Sequence, residues 1–374
     1  MTTEFKPLLT SFTFPVSDIT LKNRIVMAPM TTWSGNDDGT VSDQELTYYS
    51  KRSEGVSMLI TACAYIMPQG KAFKGQIGVH ADEMIPGLKQ IADTIHKGGA
   101  KAVLQIHHGG RQSPPEVLPD HQPVSASNIP TVLPNAPIPR ALTEDEIIET
   151  INAFGQATRR AIEAGFDGVE IHGANTYLVQ QFFSPHSNRR DDHWGGSLEK
   201  RLNFPLAVAT EVINTIKEYA KTPFLAGYRL SPEEMEEPGI TINDTFVLVD
   251  KLSALKLDYL HISTMNFWGG SMRDKEDLRP PTQLIHEHLS NRIPIIGVGG
   301  IHTPTEALKI VNTSIPLIAL GRALLMDPLW VEKLENNESE LIQSTLKSSN
   351  QKQLVIPDAM WAGLISRKGW LPVE

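Results

Sequence analysis

The chain has 374 residues, of which 40% are hydrophobic and 21% charged, and its formal net charge is -9. This composition is typical of a globular protein with an ordinary core, and the negative charge argues against a nucleic-acid partner. A single cysteine, Cys63, excludes a disulfide within the chain and a metal site built from several cysteines. We therefore expect a cytoplasmic protein without a signal peptide, a membrane span or a bound metal.

Eight apolar runs recur along the chain and alternate with helical patterns. We interpret these runs as strands, at residues 25–30, 57–65, 102–108, 168–173, 224–231, 259–264, 294–300 and 317–325. Most of them are continuously apolar, as strands of a parallel sheet covered on both faces should be. Strands and helices in this alternation predict an α/β fold, a (β/α)8 TIM barrel, with a doubly wound sheet as the alternative.

The clearest helical pattern covers residues 143–165. Thr143 and Glu146 form the signature of a capping box, and Gly165 is a stop signal. Further helices are predicted within residues 43–53, 84–99, 198–220 and 243–256.

We expect one domain over residues 1–374, with the barrel at about 24–336. The remaining segments are predicted to be an N-terminal hairpin closing the barrel bottom (8–23), a long proline-rich loop after strand 3 (113–140) and a tail packed outside the barrel (337–374).

Polar residues and glycines stand where the predicted strands end, which is where enzymes with this fold place their active sites. They include Gln105, His107, His108, His172, Asn175 and Arg229. Glycine turns end strands 7 and 8, at Gly299-Gly300 before His302 and at Gly321-Arg322. Backbone N–H groups there could hold a phosphate, although a tight turn between strand and helix explains the glycines equally well.

Other chemistries find less support in the residues. His107 and His108 are adjacent and project to opposite sides of a strand, so a shared metal is disfavoured, and we predict that His107 is a structural histidine with its hydrogen bonds satisfied. The chain has no GxSxG motif, and Cys63 lies in an apolar run where an inert thiol is expected. A hydrogen-bonded strand end would also explain His172 and Asn175.

Several ordered motifs resemble the old yellow enzyme family of FMN-dependent NAD(P)H oxidoreductases and ene-reductases. They are HGANTYLVQQFFSPHSNRRDDHWGGSLEKR at 172–201, with LKNRIVMAPM, LQIHHGGR, GYRLSPEE and IIGVGGIHTP, and the resemblance covers residues 8–340. It implies an FMN barrel that takes electrons from NADH or NADPH. Its acceptor would be a small molecule such as an α,β-unsaturated carbonyl compound or a quinone. A dehydrogenase of one specific metabolite, a barrel enzyme without flavin and a homo-oligomer remain open.

The resemblance also implies roles for individual residues. His172 and Asn175 would bind the carbonyl group of the substrate, and Tyr177 would donate a proton to the α-carbon of the substrate. The residues implied for FMN binding are Pro29, Met30 and Thr31 below the ring, Cys63 through its backbone, Gln105 and Arg229 at the polar edge, and Gly300, Gly321 and Arg322 at the phosphate.

Overall fold

Eight parallel strands form the centre of the molecule, which is a computed structural model that describes residues 3–367 and 369–374. The strands, numbered β1–β8 here, are Ile25–Met27, Met58–Ile60, Lys101–His107, Gly168–Gly173, Leu225–Leu230, Tyr259–Ile262, Ile295–Val298 and Leu317–Leu320. Each strand pairs with the next one along the chain, and β8 pairs with β1. Because this pairing closes the sheet into a ring, the predicted barrel is confirmed and the doubly wound alternative is wrong.

Two predicted strands differ in detail from those observed. β8 ends at Leu320, and the residues after Gly321 form a helix. The strand was predicted to continue to residue 325 because the apolar run there contains no visible change of period. β2 ends at Ile60, and a separate short strand at Ala64–Tyr65 resumes pairing with β3. Cys63 lies in the break between the two pieces.

Helices cover the outside of the barrel, and we number them α1–α13 over the described residues. They are Asp43–Ser50, Ile85–Lys97, Glu144–Glu163, Leu178–Phe183, Leu198–Arg201, Asn203–Tyr219, Ile242–Ser253, Pro281–Leu289, Pro304–Val311, Arg322–Met326, Trp330–Glu335, Gln351–Leu354 and Asp358–Ser366. The capping box of α3 is confirmed, since Glu146 N donates to Thr143 Oγ1 over 3.3 Å and Thr143 N donates to Glu146 Oε2 over 2.8 Å. No helix of the described residues combines the length and apolarity that crossing a membrane requires.

The N-terminal segment closes the amino end of the barrel, as predicted. Phe12–Thr13 and Thr20–Leu21 pair as antiparallel strands. Phe14 and Leu21 are fully buried among apolar side chains from the barrel interior, such as Val103. Burial of each large apolar side chain stabilises the fold by about 1.5–3 kcal/mol.

Loops and the C-terminal tail surround the carboxyl end. The loop after β3 is less irregular than predicted, because Val124–Ser125 and Arg140–Ala141 pair within it. The tail packs outside the barrel against α1, where Gln44 Oε1 accepts a hydrogen bond from Asp358 N over 2.9 Å. Its end nevertheless reaches the barrel mouth, since the carbonyl of Trp370 accepts a hydrogen bond from Arg322.

Candidate active site

Alternate residues of each strand point into the barrel, and the interior changes from apolar to polar along the strands. Val103 belongs to the apolar cluster of the barrel interior near the amino ends of the strands. Further along β3, Gln105 and His107 occupy the same face as Val103. The register between neighbouring strands places polar residues of the interior side by side. Gln105 lies beside Glu170 on β4, His172 lies beside Arg229 on β5, and Arg229 lies beside His261 on β6.

A buried carboxylate, Glu170, organises the middle of this interior. It is fully buried, and it accepts hydrogen bonds from Gln105 Nε2 over 2.7 Å and from His261 Nδ1 over 2.9 Å. Burial opposes ionisation, but His261, Arg229 and the Gln105 hydrogen bond hold the pKa of Glu170 below its usual value. Since the carboxylate needs a donor, the Gln105 amide must turn Nε2 towards it, which leaves Oε1 as an unused acceptor.

Arg229 brings a positive charge to the wall of the cavity at the carboxyl end. Its side chain is almost entirely buried, and Nη2 donates to Ser263 Oγ over 3.1 Å. Burial lowers the pKa of Arg229, but a guanidinium stays charged in proteins. Its Nε is buried and has no partner in the described part of the chain. A cation with a spare donor in a cavity wall is suited to a polar or anionic ligand.

His172 and Asn175 each present an N–H group. Ala174 N donates to His172 Nδ1 over 3.3 Å, so Nδ1 is the acceptor and Nε2 carries the hydrogen of the neutral ring. Ser263 accepts from Arg229 and donates its own hydrogen to Asn175 Oδ1 over 3.0 Å, which leaves Asn175 Nδ2 as the outward donor. The left-handed backbone of Asn175, with φ of 56°, turns the chain out of β4 at this point.

Tyr177 lies against two histidine rings. The centroid of its ring is 4.2 Å from that of His107 and 4.9 Å from that of His172, both in edge-to-face contact. Its hydroxyl makes no hydrogen bond within the described residues, which argues against core packing as its main role. Burial raises the pKa of Tyr177 above its usual value, so the phenol keeps its proton at neutral pH.

The ends of β1 and β2 supply a different wall. Pro29 and Met30 line the cavity, and the half-buried Thr31 follows them. Cys63 is buried, Gln76 Nε2 lies 3.5 Å from its Sγ, and burial raises the pKa of the thiol to about 12. Burial and a raised pKa agree with the inert thiol that was predicted.

The glycine turns after β7 and β8 also line the cavity. Gly299 has φ of 131°, and a Cβ there would lie 2.7 Å from the Thr264 carbonyl oxygen, so only glycine fits. Arg322 makes long hydrogen bonds, of 3.3 Å to the Trp370 carbonyl and 3.4 Å to the Met265 carbonyl. The sequence suggested that backbone N–H groups at the start of α9 also hold the phosphate. In the structure, Glu306 already accepts hydrogen bonds from His302 N and Thr303 N, so these two groups are not available to a phosphate.

These walls enclose one large cavity of about 970 Å³. That volume suits a cofactor together with a small substrate. The predicted residues that line it are Pro29, Met30, Asn175, Arg229, Gly300, Gly321 and Arg322. Thr31, Cys63, Gln105, His172 and Tyr177 do not line this cavity. Gln105 and His172 lie on β3 and β4 beside it, with His172 in register with Arg229.

Sequence reasoning missed several residues of the site and misjudged one. Glu170 stands two residues before His172, so the alternation along β4 was an available signal. Gln76 and Ser263 carried no signal, because they meet the site only through the fold. The prediction that the hydrogen bonds of His107 are satisfied is wrong, since its Nε2 is buried with no partner among the described residues.

Comparison with known proteins places the chain among flavin enzymes. A family model described as the NADH:flavin oxidoreductase / NADH oxidase family matches residues 7–340. The probable NADH-dependent flavin oxidoreductase YqiG of Bacillus subtilis (strain 168) is 48% identical over 100% of both chains.

Two longer relatives match over most of this chain. The NADH:acrylate oxidoreductase of Vibrio harveyi is 43% identical over 92% of this chain and 34% of its own length. The NADH:fumarate oxidoreductase of Klebsiella pneumoniae (strain 342) is 44% identical over 95% of this chain and 38% of its own. The chain thus spans little more than a third of these two proteins, whose names describe their whole length.

Solved structures agree with the barrel. The old yellow enzyme homologue of Zymomonas mobilis has a TM-score of 0.75 at 26% identity, covering 88% of this chain and 92% of its own. Morphinone reductase has a TM-score of 0.75 at 28% identity, covering 88% of this chain and 89% of its own.

Proposed function

This chain belongs to the NADH:flavin oxidoreductase / NADH oxidase family, and we propose that it reduces electron-poor alkenes whose double bond is activated by a carbonyl or carboxyl group. It is an NAD(P)H-dependent oxidoreductase with FMN as its cofactor, and the resemblance to old yellow enzyme is confirmed. One observation carries the proposal for the acceptor. The outward N–H donors of His172 and Asn175 are grouped with the Tyr177 hydroxyl at the carboxyl end of the barrel.

The residues in and beside the cavity fit FMN. Bound FMN supplies the hydride chemistry, accepting a hydride from NADH or NADPH and passing it to the acceptor. Arg229 offers an unpaired Nε–H and Gln105 a spare amide oxygen to the polar edge of the ring. The phosphate would be held by the glycine turns after β7 and β8, where Gly299 has no room for a Cβ, together with Arg322. Along the ring we place Pro29, Met30, Thr31 and the backbone of Cys63.

His172 and Asn175 would bind the oxygen of the activating group. Hydride addition to the alkene builds negative charge on that oxygen, and two preorganised donors stabilise it more than they stabilise the neutral substrate. Burial lowers the pKa of His172 well below its usual value, and His107 and Arg229 add to this effect. The imidazole is therefore a neutral donor, whose Nε2–H stabilises the charge without transferring its proton.

Tyr177 would complete the reaction by protonating the carbon next to the activating group. Because its pKa is raised, the phenol is protonated throughout the neutral range and is ready to act as a general acid. A single cavity serves electron donor and acceptor, so the donor must leave before the acceptor binds. We therefore expect ping-pong kinetics, seen as parallel lines in double-reciprocal plots at several acceptor concentrations.

A double variant tests this assignment. His172→Ala combined with Asn175→Ala should lower kcat/KM for 2-cyclohexenone at least about 10²–10³-fold, the usual cost of removing one such donor. FMN content, measured after gel filtration, should stay at the wild-type level because neither residue is placed at the cofactor. His121→Ala, at an exposed histidine of the loop after β3, is the control and should retain the wild-type rate. Undiminished alkene reduction by the double variant would refute the role of the pair.

A further inference from the structure

His107 is a buried polar side chain that the proposed reaction does not use. It ends β3, its side chain is 0% exposed, and its ring centroid lies 4.2 Å from Tyr177 and 5.3 Å from His172. It therefore belongs to the same cluster of rings as the acceptor-binding residues.

The hydrogen bonds around Gln76 fix which nitrogen of His107 carries the hydrogen. Ala72 N donates to Gln76 Oε1 over 2.7 Å, so the amide group is oriented with its oxygen towards Ala72. Gln76 Nε2 then donates to the Cys63 carbonyl over 3.2 Å and faces His107 Nδ1 at 3.1 Å. Since an amide nitrogen can only donate, Nδ1 of His107 is the acceptor and its hydrogen is on Nε2.

That Nε2–H has no partner among the described residues, although it is buried. A buried donor without a hydrogen-bond partner lowers stability by about 1–3 kcal/mol. Native proteins therefore usually contain such a donor only where a ligand or a water molecule accepts its hydrogen bond. Burial lowers the pKa of His107 to about 3, so the ring is a neutral donor at physiological pH. Its ring contacts with Tyr177 and His172 place the His107 imidazole beside the acceptor-binding residue His172.

We propose that His107 is a third N–H donor of the acceptor site and that it binds the second oxygen of a carboxylate. The proposal rests on the proposed function and names the class of alkene preferred, namely α,β-unsaturated carboxylates over simple enones. A carbonyl oxygen has two lone pairs, which His172 and Asn175 can fill, so a third donor has no acceptor on a ketone. A carboxylate offers a second oxygen to it. Arg229, in register with His172, places one positive charge beside His172.

A ligand titration separates this role from a structural one. The oxidised FMN-loaded protein would be titrated with benzoate and with benzaldehyde, and the change in flavin absorbance gives a Kd for each. His107→Leu should weaken benzoate binding about tenfold, equivalent to about 1.4 kcal/mol, and leave benzaldehyde nearly unchanged. His107→Gln, which keeps an N–H donor, should restore most of the benzoate affinity and serves alone if His107→Leu does not fold. His108→Gln is the matched control, because its ring packs against Gly70 instead.

The outcomes keep this proposal separate from the proposed function. Equal weakening of both ligands in His107→Leu, or no weakening of benzoate, would overturn the role of His107 even in a working alkene reductase. Selective loss of benzoate affinity with rescue by glutamine would support it, even in a protein that reduces no alkene. In a protein that does reduce alkenes, His107→Leu should lower kcat/KM for acrylate more than for 2-cyclohexenone.

Discussion

The two ends of the barrel are built from the same eight strands and have opposite interiors. At the amino end, Phe14 and Leu21 from the hairpin pack on apolar strand residues such as Leu225. At the carboxyl end, the strands supply His107, His172 and Arg229, and a cavity of about 970 Å³ opens beyond them.

The amino end of the barrel contributes mainly to stability, whereas the carboxyl end contributes the residues of the candidate active site. Apolar burial at the amino end contributes favourable free energy. The carboxyl end holds buried nitrogen atoms without partners in the described residues, on His107 and Arg229, and these lower stability. An unsatisfied polar group beside a cavity marks a candidate binding site, where a ligand can supply the missing partner.

The largest effect is expected at the carboxyl end, from Tyr177→Phe. Loss of a general acid should slow reoxidation of the reduced flavin by 2-cyclohexenone about 10²–10⁴-fold. Reduction by NADH should continue at the wild-type rate, because it requires no proton from Tyr177. Stopped-flow absorbance measures both half-reactions, and Tyr219→Phe, at an exposed tyrosine of α6, is the control. Equal slowing of both half-reactions would show that Tyr177 has a structural role.

The matching change at the amino end is Phe14→Ala. Phe14 is fully buried, and its ring centroid lies 5.2 Å from that of Phe12 and 5.8 Å from that of Tyr259. Its removal should lower the free energy of unfolding by about 3–5 kcal/mol, measured by urea denaturation. The rate per bound flavin should not change. A loss of rate in the folded variant would mean that the two ends are not independent.

Glu45 of α1 is a buried carboxyl group near the carboxyl end of β1, and its titration should make the stability of the protein depend on pH. It is fully buried, accepts a hydrogen bond from Thr32, and burial raises its pKa from 4.5 to about 7. The folded protein therefore keeps a proton that the unfolded chain releases above about pH 4.5, and stability falls as pH rises to about 7. The difference corresponds to about 3 kcal/mol.

Glu45→Gln removes this titration and should stabilise the protein more at pH 8 than at pH 5. Thermal unfolding at the two pH values measures it, with Glu149→Gln, an exposed residue of α3, as the control. An identical pH dependence in wild type and Glu45→Gln would contradict the assignment.

A smaller effect is expected from Arg322→Ala. Its hydrogen bonds to the Trp370 and Met265 carbonyls are long, at 3.3 and 3.4 Å, so the guanidinium is available to a phosphate. Loss of one charge-assisted bond, about 1.5–3 kcal/mol, should raise the Kd of FMN by about 10–100-fold. Fluorescence titration of the apoprotein measures this, and Arg279→Ala, an exposed arginine paired with Asp277, is the control. Unchanged FMN affinity would remove Arg322 from the cofactor site.

The sequence predicted the barrel because continuous apolar runs and glycine-ended strands are local patterns. The end of β8 was misplaced for the same reason, since the apolar run continues past Gly321 into α10. Local patterns could not show that Gln76, 31 residues before His107, fixes the tautomer of that ring. Nor could they show that Ser263 orients the Asn175 amide from 88 residues away. The roles of the site residues and the single-domain boundaries stay predictions.

The most direct test of the account follows the flavin through both half-reactions in the wild-type protein. FMN-loaded protein would be mixed anaerobically with one equivalent of NADH or NADPH, and its visible absorbance recorded before and after 2-cyclohexenone or acrylate is added. We predict that the flavin band bleaches with the nucleotide and returns with the alkene, with one saturated product formed per flavin. A flavin that bleaches but is not reoxidised by either alkene would contradict the proposed reaction.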